Sequence, residues 1–187
     1  CISTQVGCAM GCKFCMTAKS GLIRNLTQAE IVNKVLGVLK DVTGEKRLTN
    51  IVLMGMGEPL ANYENVIRAI HILTDNDSGL QFSTRRVTQT TSGLIPRFDE
   101  LGRDTKINLA ISLNATDNKT RSMLMPINNK YSIEQLIDAC VRYNLAPRNK
   151  ITFEYILIQG INDSIEDAQR LKKLLKPVKA KINLIPF

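Results

Sequence analysis

Short β-branched runs alternating with longer amphipathic ones constrain the fold of this chain more than any other feature. Six runs read as strands: residues 1 to 5 (CISTQ), 49 to 55 (TNIVLMG), 84 to 91 (TRRVTQTT), 107 to 113 (INLAISL), 150 to 158 (KITFEYILI) and 180 to 185 (AKINLI). Between them lie NLTQAEIVNKVLGVLKDV, NYENVIRAIHILTD, IPRFDELG, YSIEQLIDACVRYN and SIEDAQRLKKLLK, all with helical spacing. In the first of these, Ile31, Val35, Val38 and Leu39 share a face, and Thr27 followed by Glu30 makes a capping box. In the last, Ile165, Ala168, Leu171 and Leu175 form the expected buried stripe, and Pro177 stops the helix. Strands that alternate with helices in this way build a parallel sheet.

The strand faces choose between a doubly wound sheet and a barrel. In INLAISLN, Ile107, Leu109, Ile111 and Leu113 face one way, and Asn108, Ala110, Ser112 and Asn114 the other. Arg86, Thr88, Thr90 and Ser92 form a similar polar series, and Thr152 and Glu154 share a face. A doubly wound sheet buries both faces, whereas strands with one small or polar face suit a barrel whose inner side lines a ligand cavity. The expected fold is therefore α/β, an open six-stranded partial (β/α)6 barrel of parallel strands.

With 187 residues at 44% hydrophobic, the chain suffices for one domain, 1–187, with its own core. It contains no apolar run long enough to span a bilayer and no signal pattern, so a soluble cytoplasmic protein is expected. It begins inside an apparent strand at Cys1 and stops after the last at Phe187, the pattern of a core excised from a larger protein. Twenty-five Lys and Arg against 17 Asp and Glu give +8, which fits either a polyanionic partner or a solvated basic face. Aromatics at 5% and no Trp argue against a stacking platform for single-stranded nucleic acid.

Four of the five cysteines fall in the opening CISTQVGCAMGCKFC. Cys8, Cys12 and Cys15 are spaced C-x3-C-x2-C with Phe14 before the last, and Gly7 and Gly11 permit unusual backbone angles around a bulky ligand. A structural zinc site takes four protein ligands. The remaining candidates are Cys1, Cys140, which shares an apolar helical face with Ile137, and His71, which lies on a helix. Three thiolates on a four-iron cluster instead leave one iron open, and the amino and carboxylate groups of S-adenosyl-L-methionine (SAM) can fill that position. A zinc-stabilised, non-catalytic RNA-binding module and an electron-transfer cluster are the alternatives. MGMGEP at 54 to 59 reads alone as a turn, although its glycines let a backbone approach a ligand closely. Thr90, Ser92, Ser112, Leu113 and Asn114 lie at strand ends, where barrel active sites are built.

C-x3-C-x2-C with an aromatic before its third cysteine, directly after the first strand, resembles the signature of the radical SAM superfamily, a TIM-like partial barrel. GLIRNLT, MGMGEPLAN, RRVTQTTSG, LAISLNA, MPINNKY and KINLIP follow in order along the whole chain. Together they resemble the RlmN/Cfr family of radical SAM rRNA and tRNA adenine methyltransferases. GEP rather than GEA at 57 to 59 favours the RlmN-type C2 enzyme over the Cfr-type C8 enzyme.

The resemblance implies a 4Fe-4S cluster on Cys8, Cys12 and Cys15, and SAM contacts at Gly57, Glu58, Thr90, Ser112, Leu113 and Asn114. Thr90 stands where serine is common and Asn114 where histidine is common, and a further SAM-contacting Asn is expected just after Phe187. The implied partners are 23S rRNA, tRNA and a reductant such as flavodoxin or ferredoxin, and the implied state is a monomer. Arg24, Arg85 and Arg86 are candidates for RNA contacts.

In the family, one SAM methylates a cysteine on a C-terminal loop, and a second yields the radical that takes hydrogen from that methyl group. The resulting carbon adds to the adenine, and a second cysteine releases the product by forming a disulfide. Cys1 matches this second cysteine by its seven-residue offset from Cys8. Read without the resemblance, an inert buried thiol in a strand is the favoured reading, and seven extended residues reach at most roughly 25 Å. The methyl-carrying cysteine has no match, because Cys140 lies in helical context without AACGQ-like surroundings.

Overall fold

A computed structural model describes residues 1–42 and 47–187. It opens with a two-stranded antiparallel ribbon, β1 (Gln5–Gly7) and β2 (Leu22–Asn25), with the short helix α1 (Met16–Lys19) between them. Five parallel strands follow: β3 (Ile51–Leu53), β4 (Val87–Thr91), β5 (Asn108–Ser112), β6 (Ile151–Leu157) and β7 (Ala180–Pro186). They lie in the sheet in chain order, interleaved with α2 (Gln28–Asp41), α3 (Tyr63–Thr74), α4 (Phe98–Asp104), α5 (Asn118–Leu124), α6 (Ile133–Arg142) and α7 (Ile165–Leu174). Because the order never reverses and parallel crossovers are right-handed, the crossover helices fall on one face of the sheet. The other face is left as the concave interior of a partial barrel.

Register makes that division explicit. Val52, Thr88 and Asn108 are cross-strand neighbours; so are Thr90, Ala110, Thr152 and Lys181, and likewise Ser112, Glu154 and Asn183. Thr88, Thr90, Asn108, Ala110, Ser112, Thr152 and Glu154 are the small and polar residues that the alternation assigns to the interior, and Val52, Lys181 and Asn183 join them; Thr88, Thr152, Glu154, Lys181 and Asn183 line one hollow of about 340 Å³. The opposite face carries Ile51, Leu53, Val87, Leu109, Ile111, Ile151 and Phe153 into the core, against Ile31, Val35, Val66, Ile70, Leu101, Leu136 and Leu171.

The first strand differs from expectation. Residues 1 to 4 run beside β3 without forming a regular ladder: Ile2 N donates to Val52 O (2.9 Å) and Gly55 N donates to Ile2 O (3.1 Å). In a regular parallel pair those two partners lie two residues apart; here they lie three apart, so β3 carries an extra residue at this point. The regular strand begins only at Gln5 and pairs antiparallel with β2. The parallel sheet thus has five regular strands, with residues 1 to 4 beside the β3 edge. β2 and α1 carry no burial alternation, since all four residues of β2 are exposed and α1 buries none.

The capping box at Thr27 and Glu30 forms as expected, and Ser132 with Gln135 and Ser164 with Asp167 repeat it on α6 and α7. Val38 is exposed, while Val32 takes the buried place beside Ile31 and Val35. On α7 the buried line is Asp167, Leu171 and Leu175, and both Ile165 and Ala168 are exposed. The helix start is held by polar bonds: Thr116 Oγ1 and Ser164 Oγ each donate to the Asp167 carboxylate (2.7 Å).

Candidate functional site

The cysteine loop leaves β1 at Gly7, whose φ of +78° and crowding leave no room for a side chain. A Cβ there would lie 1.9 Å from Gly21 O. Cys8 N then donates to Gly21 O (2.9 Å), closing the base of the loop, and Gly11 turns with φ +69°. Cys15 N donates to Cys12 O (3.1 Å) and Cys15 caps α1. From the other side, Lys13 N donates to Leu124 O (2.9 Å), which fixes the loop to the end of α5. Cys8, Cys12 and Cys15 are free and partly buried.

Burial holds the Cys8 thiol above its ordinary value and pushes Cys12 up to about 12. After burial, the neighbouring cysteines and the Glu58 carboxylate raise Cys12 further, and Arg121 opposes them. These three thiols are therefore close enough to feel one another's charge. Among the described residues, no three His, Cys, Asp or Glu converge tightly enough to hold a single metal ion. A tetrahedral zinc needs all its donors on one centre, whereas cysteines on an iron–sulfur cluster each take a different iron. A soft, three-thiolate donor set on a glycine-hinged loop fits the cluster.

The segment after β3 is packed directly on the run leading into the cysteines. Thr4 N and Gln5 N donate to Met56 O (2.9 and 3.2 Å), and Glu58 N donates to Gln5 Oε1 (2.8 Å). Gly57, at φ +103°, has its missing Cβ position 2.6 Å from Gln5 Cβ, so glycine is required for this approach. Glu58 is 3% exposed, and its carboxylate accepts from Leu60 N (3.1 Å), Ser92 N (2.7 Å) and Ser92 Oγ (2.8 Å). Burial raises its pKa, and the hydrogen bonds to Ser92 and Leu60 pull the other way. The Glu58 side chain is thus spent on tying this segment to the end of β4, which leaves the backbone around Gly57 as the group that can meet a ligand.

Thr90 and Ser112 face the interior from neighbouring strands, while Leu113 is fully buried. Asn114 adopts φ +56° and is 1% exposed. Its Oδ1 accepts from Ile156 N (2.9 Å) and its Nδ2 donates to Met125 Sδ (3.3 Å), so its side chain joins β5 to β6 instead of entering the mouth. Cys1 stands apart. It is exposed and lies at the start of the run beside β3, since Ile2 N bonds Val52 O, whereas the cluster loop begins beyond Gly7 at the opposite end of that run.

Cys140 is buried in α6 and His71 is exposed with Nε2 3.1 Å from Asp104 O, which removes both as ligands for the cysteine loop. Arg24 is paired through both terminal nitrogens with Glu30 and Arg86 donates to Asn50 Oδ1; Arg85 lines a separate hollow with Lys106 and Arg148.

Sequence reasoning missed Arg121. It is 1% exposed on α5, a helix whose start is marked only by Asp117, whose side chain accepts from Thr120 N (2.9 Å). That Asp-x-x-Thr capping pattern could have found the helix, but not the burial of Arg121.

Residues 2–171 match the Radical SAM superfamily. The chain is 67% identical over its whole length to the dual-specificity RNA methyltransferase RlmN of Desulfosudis oleivorans, of which it covers 50%. It is 57% identical to the RlmN of Geobacter sulfurreducens, again over its whole length and 51% of that protein. The chain spans about half the length of these curated relatives. The crystal structure of a radical SAM methyltransferase from Sphaerobacter thermophilus superposes with a TM-score of 0.94 at 46% identity, over 98% of this chain and 54% of that one. With three cysteines on a glycine-hinged loop at the mouth of a parallel partial barrel, and a family match over nearly its whole length, the chain belongs to the radical SAM superfamily.

Proposed function

We propose that the protein carrying this chain methylates C2 of adenosine in 23S rRNA and tRNA. The observation that carries the reading is the convergence, on one mouth, of the Cys8, Cys12 and Cys15 loop with the Gly57 segment and the ends of β4 and β5, in a chain similar throughout to proteins named RlmN. Cys8, Cys12 and Cys15 would hold a 4Fe-4S cluster. Once bound, such a cluster would supply the electron for reductive cleavage of SAM, with a flavodoxin- or ferredoxin-like protein as the donor.

The chain's own residues then divide the work. The backbone around Gly57 and Glu58 would meet the amino end of SAM, while the Glu58 carboxylate holds Ser92 in place and the Glu58 carbonyl accepts from Ala61 N (3.0 Å). Thr90 and Ser112 offer hydroxyls from the barrel interior, and Leu113 and the Asn114 backbone close the wall beside them. The family resemblance makes Cys1 the resolving thiol, although it stands at the start of the run beside β3, apart from the cluster loop. It is exposed and free to form a disulfide, and its partner cysteine, which carries the methyl group, comes from elsewhere in the protein.

The deciding experiment maps methylated adenines by mass spectrometry in 23S rRNA and tRNA from cells with and without the full gene. Loss of 2-methyladenosine on deletion, and its return on complementation, is the expected result. Loss of 8-methyladenosine would assign the Cfr-type reaction instead, and no change in either would sink the proposal.

A further inference from the structure

Arg121 is a fully buried guanidinium with no carboxylate bonded to it among the described residues. Buried arginines are nearly always paired, because an uncompensated charge away from water is strongly disfavoured. Here Nε donates to Leu113 O (3.1 Å), Nη1 to Asn128 Oδ1 (3.1 Å), and Nη2 to both Ser92 O (2.8 Å) and Ser112 O (3.1 Å). Four of its five N–H groups are therefore spent on neutral oxygens, three of them carbonyls at the ends of β4 and β5. Dipoles solvate the charge without cancelling it.

The surroundings say what this charge faces. Three residues along the same helix, Leu124 O accepts from Lys13 N in the cysteine loop (2.9 Å), and Pro126 packs on Gly11, whose missing Cβ position is 3.6 Å from Pro126 Cγ. Ser92, held by Arg121 at its carbonyl, is held by Glu58 at its N–H and hydroxyl. One side chain thus joins both strand ends to the helix whose end is bonded to the cysteine loop. Burial lowers Arg121 to about 10, and the nearby Cys12 thiolate opposes that shift.

An iron–sulfur cluster on three thiolates is an anion, and adding an electron makes it more negative. A fixed positive charge close by stabilises the reduced form more than the oxidised one.

We propose that Arg121 is the counter-charge and positioning residue of this site: it raises the reduction potential of a cluster on Cys8, Cys12 and Cys15 and fixes Ser92, Ser112 and Leu113 where SAM is to bind. This rests on reading the cysteine loop as a cluster site. Lysine at 121 would keep the charge, but its compact ammonium has three donors and cannot reproduce the planar fork that reaches four acceptors.

The test uses the full-length enzyme, wild type, Arg121→Lys and Arg121→Gln, reconstituted anaerobically with iron and sulfide. The readouts are the cluster potential by EPR-monitored titration, the SAM dissociation constant, and thermal unfolding of each apo protein. The glutamine variant should titrate at a more negative potential than wild type. Both variants should bind SAM about tenfold more weakly, while the lysine variant stays near the wild-type potential. Wild-type potential and SAM affinity in the glutamine variant would overturn the proposal. Should that variant not fold, the lysine variant decides, and unchanged SAM affinity overturns it. A wild-type protein that takes up zinc and no sulfide would remove the reading beneath the proposal, a different signature from an unaffected variant.

Discussion

β5 and β7 belong to the same parallel sheet, two strands apart, and differ in almost everything else. Leu109, Ala110 and Ile111 of β5 are fully buried, and the loops around its end are bonded to one another through Glu58, Ser92, Arg121 and Asn114. On β7, Ile182 is 45% and Leu184 55% exposed, and an apolar hollow of about 580 Å³ lies between that strand and α7. The contrast teaches where precision is stored. On the cysteine side, the Glu58 carboxylate, the Arg121 guanidinium and the Asn114 amide are bonded to other residues of the chain, so the strand ends are fixed before any ligand arrives. On the β7 side, Asn183 Nδ2 donates to the Glu154 carboxylate (2.6 Å), but Ile182 and Leu184 offer the hollow only apolar surface.

The contrast breaks most visibly through the cysteines. Cys12→Ala should abolish iron and sulfide uptake and SAM cleavage while leaving the circular dichroism of the apo protein unchanged, whereas Leu184→Ser should leave uptake intact; metal analysis of both decides. In stability, Leu109→Ala should cost about 2–5 kcal/mol as a core truncation, and Leu184→Ala about 0.5 kcal/mol or less, both read from urea unfolding. Equal losses would erase the distinction between the two sides. Glycines sharpen it further. Gly160→Ala, on the β7 side at φ +73° with open space around it, should cost about 1–2 kcal/mol for the left-handed backbone. Gly57→Ala should exceed that, because its Cβ would meet Gln5 Cβ at 2.6 Å.

The smallest effect is a pH dependence. Burial holds Cys8 high and Cys12 at about 12, so the free protein keeps protons that a metal-bound thiolate must release. Apparent iron affinity should therefore rise from about pH 7 to 9, measured by competition with a chelator of known pH response. A flat profile would contradict the buried, protonated state of the loop.

Much of this was legible in the sequence because alternation and motif spacing report burial directly. The interior rows of β4, β5 and β6 follow from Thr88, Thr90, Asn108, Ser112, Thr152 and Glu154, and the cysteine loop from its spacing and its glycines. What was hidden formed through backbone pairing or through polar bonds between distant segments. β2 exists because it pairs with β1, although every residue in it is exposed. α7 turned Ile165 outward because Asp167, bonded to Thr116 and Ser164, outweighed the apolar stripe. Arg121 reads as an ordinary surface cation until the oxygens it serves, from the ends of β4 and β5 and from Asn128, are brought together. Asn114 stands at a position where the family resemblance implies a SAM contact, yet its amide is used to join two strands.

The central claim is that three thiols at one mouth hold a cluster with an open iron. Anaerobic reconstitution, followed by SAM addition to the reduced protein, tests it most directly. The account predicts iron with labile sulfide, an EPR signal that changes when SAM binds, and release of 5′-deoxyadenosine. Zinc without sulfide, or a cluster whose spectrum ignores SAM, would contradict it.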